Sequence, residues 1–318
     1  MTLSIESLQS DAVAHKFLVR MHESAAPNPA ALYRVAAKVG ACARQASAFE
    51  TTSDGTELAM RPLLEYYAML HWIKVLLHLC ILDYPPSSAV LQHGMSSRRI
   101  KRENYRWPLE SVYLYKQGVL QSFYALTWAT ERDRKALERD QRSQTGAKEK
   151  PGAKENSDAE QKPGAEGKLD ALGAPSAQEG RSGERVLTGA GASLVEPPLL
   201  PAKLVIGTLL GAIPMMHDAL SLFYPQFTDA ASEARMKAAS STAAAPITAL
   251  TTDAGPAFPT SEWFPRFVLL FSLSGLVRYN PVEWSDILVW SNESDAYLIR
   301  EFLSQPRFRF QLSDFVRM

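Results

Sequence analysis

Apolar residues recur along this chain at helical rather than strand spacing, which predicts a mainly α-helical protein. Ile5–Glu23 carries them near a 3.6-residue period. Pro29–Thr51 repeats the pattern, with Asn28 as a candidate N-cap and Pro29 at the first helical position. Pro62–Leu82 is longer and more apolar, and it ends before Asp83-Tyr84-Pro85-Pro86 because a residue preceding proline is pushed out of the helical region. Toward the C-terminus the spacing predicts helices over Pro201–Leu210, Phe264–Tyr279, Pro281–Trp290 and Ser294–Ser304, with Asn292 or Ser294 placed to cap the last. Leu210–Phe223 reads as a further helix interrupted at Pro214. One stretch reads differently. Val112–Tyr115 and Val119–Thr127 are β-branched and aromatic and flank Lys116-Gln117-Gly118, which predicts a small β hairpin over 112–127.

Two polar stretches interrupt this pattern. Glu131–Glu196 is Lys, Glu, Gly, Ala, Ser, Gln and Pro with no aromatic residue, so it buries too little apolar surface to offset its ordering entropy. It is expected to be a long disordered insertion whose first turns, Glu131–Arg142, extend a helix. Ala230–Pro256 is rich in Ala, Thr and Ser and reads as a helical start followed by a loop. The expected organisation is an N-terminal helical block with the hairpin (1–130), the insertion (131–196) and a C-terminal helical block (197–318) containing the loop 230–256. The two blocks are expected to pack as one core, since neither alone closes off its apolar helices.

Total charge adds little. The chain has 34 basic and 34 acidic residues, so any polyanion partner must be argued from local charge. Cys42 and Cys80 suit a reducing compartment and lie in apolar helical text, which speaks against covalent cysteine chemistry. Met1–Glu6 lacks a basic segment leading into an apolar one, so no signal peptide is predicted. A membrane span needs roughly 20 apolar residues. Leu70–Leu82 is broken by His71, Lys74 and His78, and Phe267–Val277 is shorter, so the expectation is a cytoplasmic protein with no membrane partner. Phosphate-binding glycine loops, a Gly-x-Ser-x-Gly elbow, Cys-x-x-Cys and His-Glu-x-x-His are all missing, and no cofactor is expected. His71 and His78 are two turns apart with no acid between them, so no metal site is expected either.

The local chemistry lies in three places. Arg98, Arg99, Lys101, Arg102 and Arg106 face a single acid, Glu103, and Tyr105 and Trp107 are interleaved. Guanidinium forks suit phosphates and aromatic rings suit unpaired bases, so this loop is a candidate phosphate or nucleic-acid contact; its bland reading is a solvated loop paired with acids elsewhere. Just upstream, His93-Gly94 places an imidazole at a tight turn. On the third helix, Tyr67, His71, Lys74 and His78 fall on one stripe, which either lines a cleft or forms an exposed face. His71 and Lys74 are candidate phosphate contacts and Tyr67 a supporting group. Arg278 closes an apolar helix, where the dipole favours a cation by about 0.3–1 kcal/mol and gives a structural reason for it. Tyr279 and Trp284 are candidate anchors beside Pro281, and Glu283 is placed to pair with Arg278. The functional alternative is that Arg278 and His93 meet at a phosphate as catalytic partners.

Pro62–Lys74, the His93-Gly94 element with its basic tail, Lys116-Gln117-Gly118, and Leu273–Tyr279 with Pro281 and Trp284 together resemble the bacterial YaaC-like proteins. The resemblance covers most of the ordered chain in order and skips 131–196 and 230–256 as insertions. It implies little about activity, because that family is essentially uncharacterised. The helical layout also resembles HEPN-type domains, all-α modules that are frequently RNA-directed. Their ribonucleases carry a histidine four to six residues after an arginine. Arg278 is followed by no histidine in that window, so His93 would have to serve from another element. The expected function is binding of RNA or a nucleotide, extending to metal-independent cleavage with His93 as acid or base and Arg278 stabilising charge. The alternative is a non-enzymatic helical module with a protein partner.

Overall fold

One long helix packed against two others forms the centre of the fold. A computed structural model describes residues 4–25, 27–97, 105–146, 197, 199–228, 262–289 and 293–315. The first helical text breaks at Ser10 into a 3₁₀ turn, Ile5–Gln9, and helix α1, Asp11–Met21. Helix α2 (Pro29–Asp54) begins as its sequence signals: the Asn28 side chain accepts from the Ala30 amide at 2.9 Å and Pro29 fills the first helical position. Helix α3 (Arg61–Cys80) is buried along most of its length. It has no solvent face because α2 packs along one side and helix α7 (Trp263–Tyr279) along another. Every residue of α7 from Trp263 to Leu276 is buried, Arg266, Ser272 and Ser274 included.

A small antiparallel sheet lies beside these helices, in the order β1 (Met95–Ser97), β2 (Ser111–Leu114), β3 (Lys203–Val205). Met95 pairs with Leu114 and Val112 with Leu204, so β2 turns Val112 and Leu114 inward. The expected hairpin over 112–127 is corrected here. Only its first arm is a strand; Val119–Thr127 opens helix α4 (Val119–Gly146). Buried Val119, Leu120, Phe123, Tyr124 and Leu126 follow helical, not alternating, spacing. The text at Pro201–Leu210 likewise begins as β3 before helix α5 (Ile206–Gly211). A 3₁₀ turn at Pro214–Met216 and helix α6 (His217–Phe223) follow. Helices α8 (Pro281–Val289) and α9 (Glu293–Ser304) follow α7, and a 3₁₀ turn at Leu312–Asp314 comes after them.

Met1–Thr130 and Val186–Met318 form one compact unit and Glu131–Arg185 a second. All the side chains considered below belong to the first. Of the second, residues 131–146 are described and are helical. Most of the 131–196 stretch, and the 230–256 stretch, lie outside the described residues. Among the described residues no helix is long and apolar enough to cross a membrane.

Candidate anion-binding site

His93 is held from both its backbone and its ring. Gly94 has φ +80° and Gly118 φ +148°, conformations that side chains disfavour. A Cβ on Gly118 would come within 2.2 Å of the Gly94 Cα, so the two glycines let β1 approach the start of α4. The first amides of α4 have no acceptor inside their own helix. The Val119 amide donates to the Gln92 carbonyl at 2.8 Å and the Leu120 amide to the His93 carbonyl at 3.4 Å. The Gln121 side-chain amide donates to the Gly94 carbonyl at 2.8 Å. On the ring side, His93 Nδ1 lies 2.6 Å from the Tyr66 hydroxyl, and the imidazole packs against Phe271 of α7 with centroids 5.7 Å apart. Tyr66 is itself buried between Phe267 and Phe271, and burial pushes its phenol pKa upward.

The Tyr66 hydroxyl serves either imidazole tautomer. When it donates to Nδ1, Nε2 carries the hydrogen and can donate to an anion. When Nδ1–H donates to the phenol oxygen, Nε2 is free to accept a proton. Burial first, then the charges of Arg278 and Lys74, hold the His93 pKa below its ordinary value, so the ring is neutral at pH 7.

Arg278 stands in the last turn of α7. Its Nε donates to the Ser274 carbonyl at 3.2 Å, Nη1 to the Tyr67 hydroxyl at 3.1 Å and Nη2 to Ser274 Oγ at 3.4 Å. The guanidinium carbon lies 4.9 Å from the Tyr279 ring centroid and 5.8 Å from that of Tyr67. No carboxylate among the described residues pairs with it. The other substantially buried arginines are all answered: Arg266 by Glu262 at 2.6 Å, Arg307 by Asp54 at 2.8 Å and Arg106 by Asp295 at 3.3 Å. Lys74, half-buried on α3, also has no ion pair among the described residues.

The α3 stripe is therefore not an exposed face. Tyr67, His71 and Lys74 are half-buried and His78 is buried. Phe49 of α2 stacks on Tyr67 and His71, with centroids 5.5 and 5.7 Å away. Burial, then Lys74, lowers the His71 pKa to about 4. His71 Nδ1 is enclosed with no hydrogen-bond partner among the described residues.

Other expected contributors lie elsewhere. Arg98, Arg99, Lys101 and Arg102 fall outside the described residues. Arg106 and Trp107 are structural rather than phosphate-facing. Arg106 donates to the Tyr224 hydroxyl and Ser294 Oγ, each at 2.8 Å, and the Trp107 amide donates to Asp295 Oδ2 at 2.8 Å. Trp107 is fully buried, its indole donating to Ser272 Oγ at 3.2 Å, so it offers no stacking face. The Tyr105 hydroxyl donates to Glu110. Tyr279 is 73% exposed and is not a core anchor, whereas Trp284 is buried and its indole donates to the Ala59 carbonyl at 2.7 Å. Glu283, in the first turn of α8, makes no ion pair with Arg278. Both cysteines are free, and burial lifts the Cys80 thiol to about 12. Among the described residues no three His, Cys, Asp or Glu side chains are grouped to hold a metal.

The model of the YaaC-like protein family matches residues 6–142 and 248–311, more than half of the chain. The chain belongs to the YaaC-like family. The match takes in 131–142 and 248–256, which the sequence resemblance treats as insertions, and leaves out 143–247. In this YaaC-like chain, then, α3, β1, β2, the start of α4 and α7 are family elements, whereas β3, α5, α6 and Tyr224 lie outside the matched segments. His93, Lys74 and Arg278 are all inside. Comparison with curated proteins and with solved structures returned no match.

Proposed function

We propose that this YaaC-like protein binds RNA or a nucleotide, with a ligand phosphate held by Arg278, Lys74 and His93. The observation that carries this reading is Arg278, a half-buried guanidinium left without a carboxylate where the other substantially buried arginines have one. An enclosed cation is costly to leave unanswered, and a bound anion supplies the missing charge. Lys74 adds a second unpaired cation, and neutral His93 adds a ring N–H that can donate to a phosphate oxygen. The basic segment Arg98–Arg102 follows β1 directly, which would extend the contact along a nucleic-acid backbone.

The Tyr66–His93 pair favours a second reading, metal-independent cleavage of RNA. With Nδ1–H donating to Tyr66, His93 Nε2 takes the proton of a ribose 2′-hydroxyl. That oxygen attacks phosphorus, the 5′-oxygen leaves and is protonated by water, and a 2′,3′-cyclic phosphate results. Arg278 would stabilise the charge gathering on the phosphoryl oxygens.

The test is to incubate the purified chain with end-labelled single-stranded RNA in EDTA and to measure retention and cleavage. Retention weakened in Arg278→Met and Lys74→Met supports binding, and cyclic-phosphate ends lost in His93→Ala support cleavage. If RNA and free nucleotides are neither retained nor cut, the proposal fails and a helical protein-interaction module takes its place.

A further inference from the structure

Tyr279 stands next to Arg278 in the last turn of α7 and is 73% exposed. One contact orients its ring: the Arg278 guanidinium carbon lies 4.9 Å from the ring centroid. A cation over an aromatic face is attracted by the ring quadrupole. The guanidinium is fixed in turn by Ser274 and Tyr67. Tyr279 is therefore oriented from one side without being buried, and its exposure leaves the other face of the ring open.

The same guanidinium has hydrogen-bonding capacity left over. An arginine carries five N–H groups. Arg278 spends one from Nε on the Ser274 carbonyl, one from Nη1 on the Tyr67 hydroxyl and one from Nη2 on Ser274 Oγ. One N–H on each terminal nitrogen remains for an anion. Arg278 and Tyr279 follow Gly275 by three and four positions, so all three fall on one side of α7. The end of β1 reaches that side, since a Cβ on Gly275 would lie 3.6 Å from Ser97 Oγ. The basic sequence 98–102 begins at the next residue. A phosphate donor and an open aromatic face thus stand side by side. A duplex cannot use the pair, because its base faces are stacked on one another. An unpaired base can lie on the ring while a neighbouring phosphate meets the guanidinium.

We propose that Tyr279 is a stacking platform for an unpaired base of single-stranded RNA. The inference rests on the phosphate-binding reading of Arg278 and adds the substrate class, an unpaired strand rather than a duplex. Tyr279 selects that class through the base and contacts no phosphate.

The experiment is fluorescence anisotropy on the full chain with three labelled probes: a single-stranded RNA, an abasic strand of the same length and an RNA duplex. The single strand is expected to bind more tightly than the duplex. Tyr279→Leu removes the ring and is expected to weaken the single strand at least about fivefold. It should leave the abasic strand within about twofold and the salt slope unchanged, because no phosphate contact is lost. Tyr279→Phe and Tyr279→Trp keep a stacking face and should hold the single strand within about twofold of the unaltered chain. A tyrosine that only steadies Arg278 would instead weaken both strands alike. A thermal melt confirms that Tyr279→Leu is folded. Unchanged single-strand affinity in folded Tyr279→Leu, equal losses on the two strands, or a duplex bound as tightly as the single strand would each overturn the assignment. If Arg278→Met still weakens binding in those cases, the phosphate site stands without the platform. Failure of all three probes to bind removes both.

Discussion

Arg278 Nη1 donates to the Tyr67 hydroxyl at 3.1 Å, and Tyr67 is the residue next to Tyr66, whose hydroxyl meets His93 Nδ1 at 2.6 Å. Two adjacent tyrosines of α3 thus tie the end of α7 to the turn before β1. A guanidinium held by hydroxyl and carbonyl groups alone contributes little to folding, because its desolvation opposes the bonds it makes. Arg278→Met is therefore expected to change stability by no more than about 1 kcal/mol in urea unfolding.

Arg106 should behave in the opposite way. It shares Asp295, which is 1% exposed, with Tyr224 and the Trp107 amide. Arg106→Met strands that carboxylate in the core and is expected to cost roughly 3–5 kcal/mol. Asp295→Asn, which removes the charge but keeps the shape, should cost clearly less. Equal losses in urea unfolding would show that the charge of Asp295 is not what needs answering.

Gly94 should tolerate no side chain. A Cβ there would lie 1.9 Å from Gln121 Oε1, at φ +80°. Gly94→Ala is expected to destabilise by about 1–3 kcal/mol. Relaxing the side-chain clash with Gly94→Ala/Gln121→Ala should recover only part of this, since the backbone strain and the lost bond to the Gly94 carbonyl persist. Full recovery would show that the conformation itself is unstrained.

Acid should loosen the core through His78. Burial first, then Lys38 and Lys74, lowers its pKa from 6.5 to about 4. Between those values the unfolded chain binds a proton that the folded chain does not, so stability rises with pH and falls on acidification. The contribution is at most about 1.4 kcal/mol per pH unit. Urea unfolding from pH 6.5 to pH 5 should show a shallower slope in His78→Gln than in the unaltered chain. Identical slopes would mean that His78 titrates alike in both states.

The helices were legible where periodicity and caps agreed: Asn28-Pro29 at the start of α2 and the proline-bounded ends of α3 and α7. Val119–Thr127 misled because β-branched and aromatic residues also fill buried helices, and the spacing of Val119, Leu120, Phe123, Tyr124 and Leu126 carried the correct answer. His93 and Arg278 stood out as a glycine turn and a helix end. Tyr66 did not, since it lies off the stripe that drew attention to Tyr67. The partners of Arg106 and Trp107 could not be read at all, because Asp295 is 188 residues beyond Trp107 and no local pattern joins them.

The most direct test of the phosphate site is the salt dependence of RNA binding, followed by fluorescence anisotropy on labelled single-stranded RNA. Each phosphate contact contributes about −0.7 to the slope of log affinity against log salt for single strands. Arg278→Met and Lys74→Met should each weaken binding across sequences and make the slope shallower by roughly one such contact. Binding whose affinity and salt slope are unchanged in the folded double variant would contradict a phosphate site built on Arg278 and Lys74.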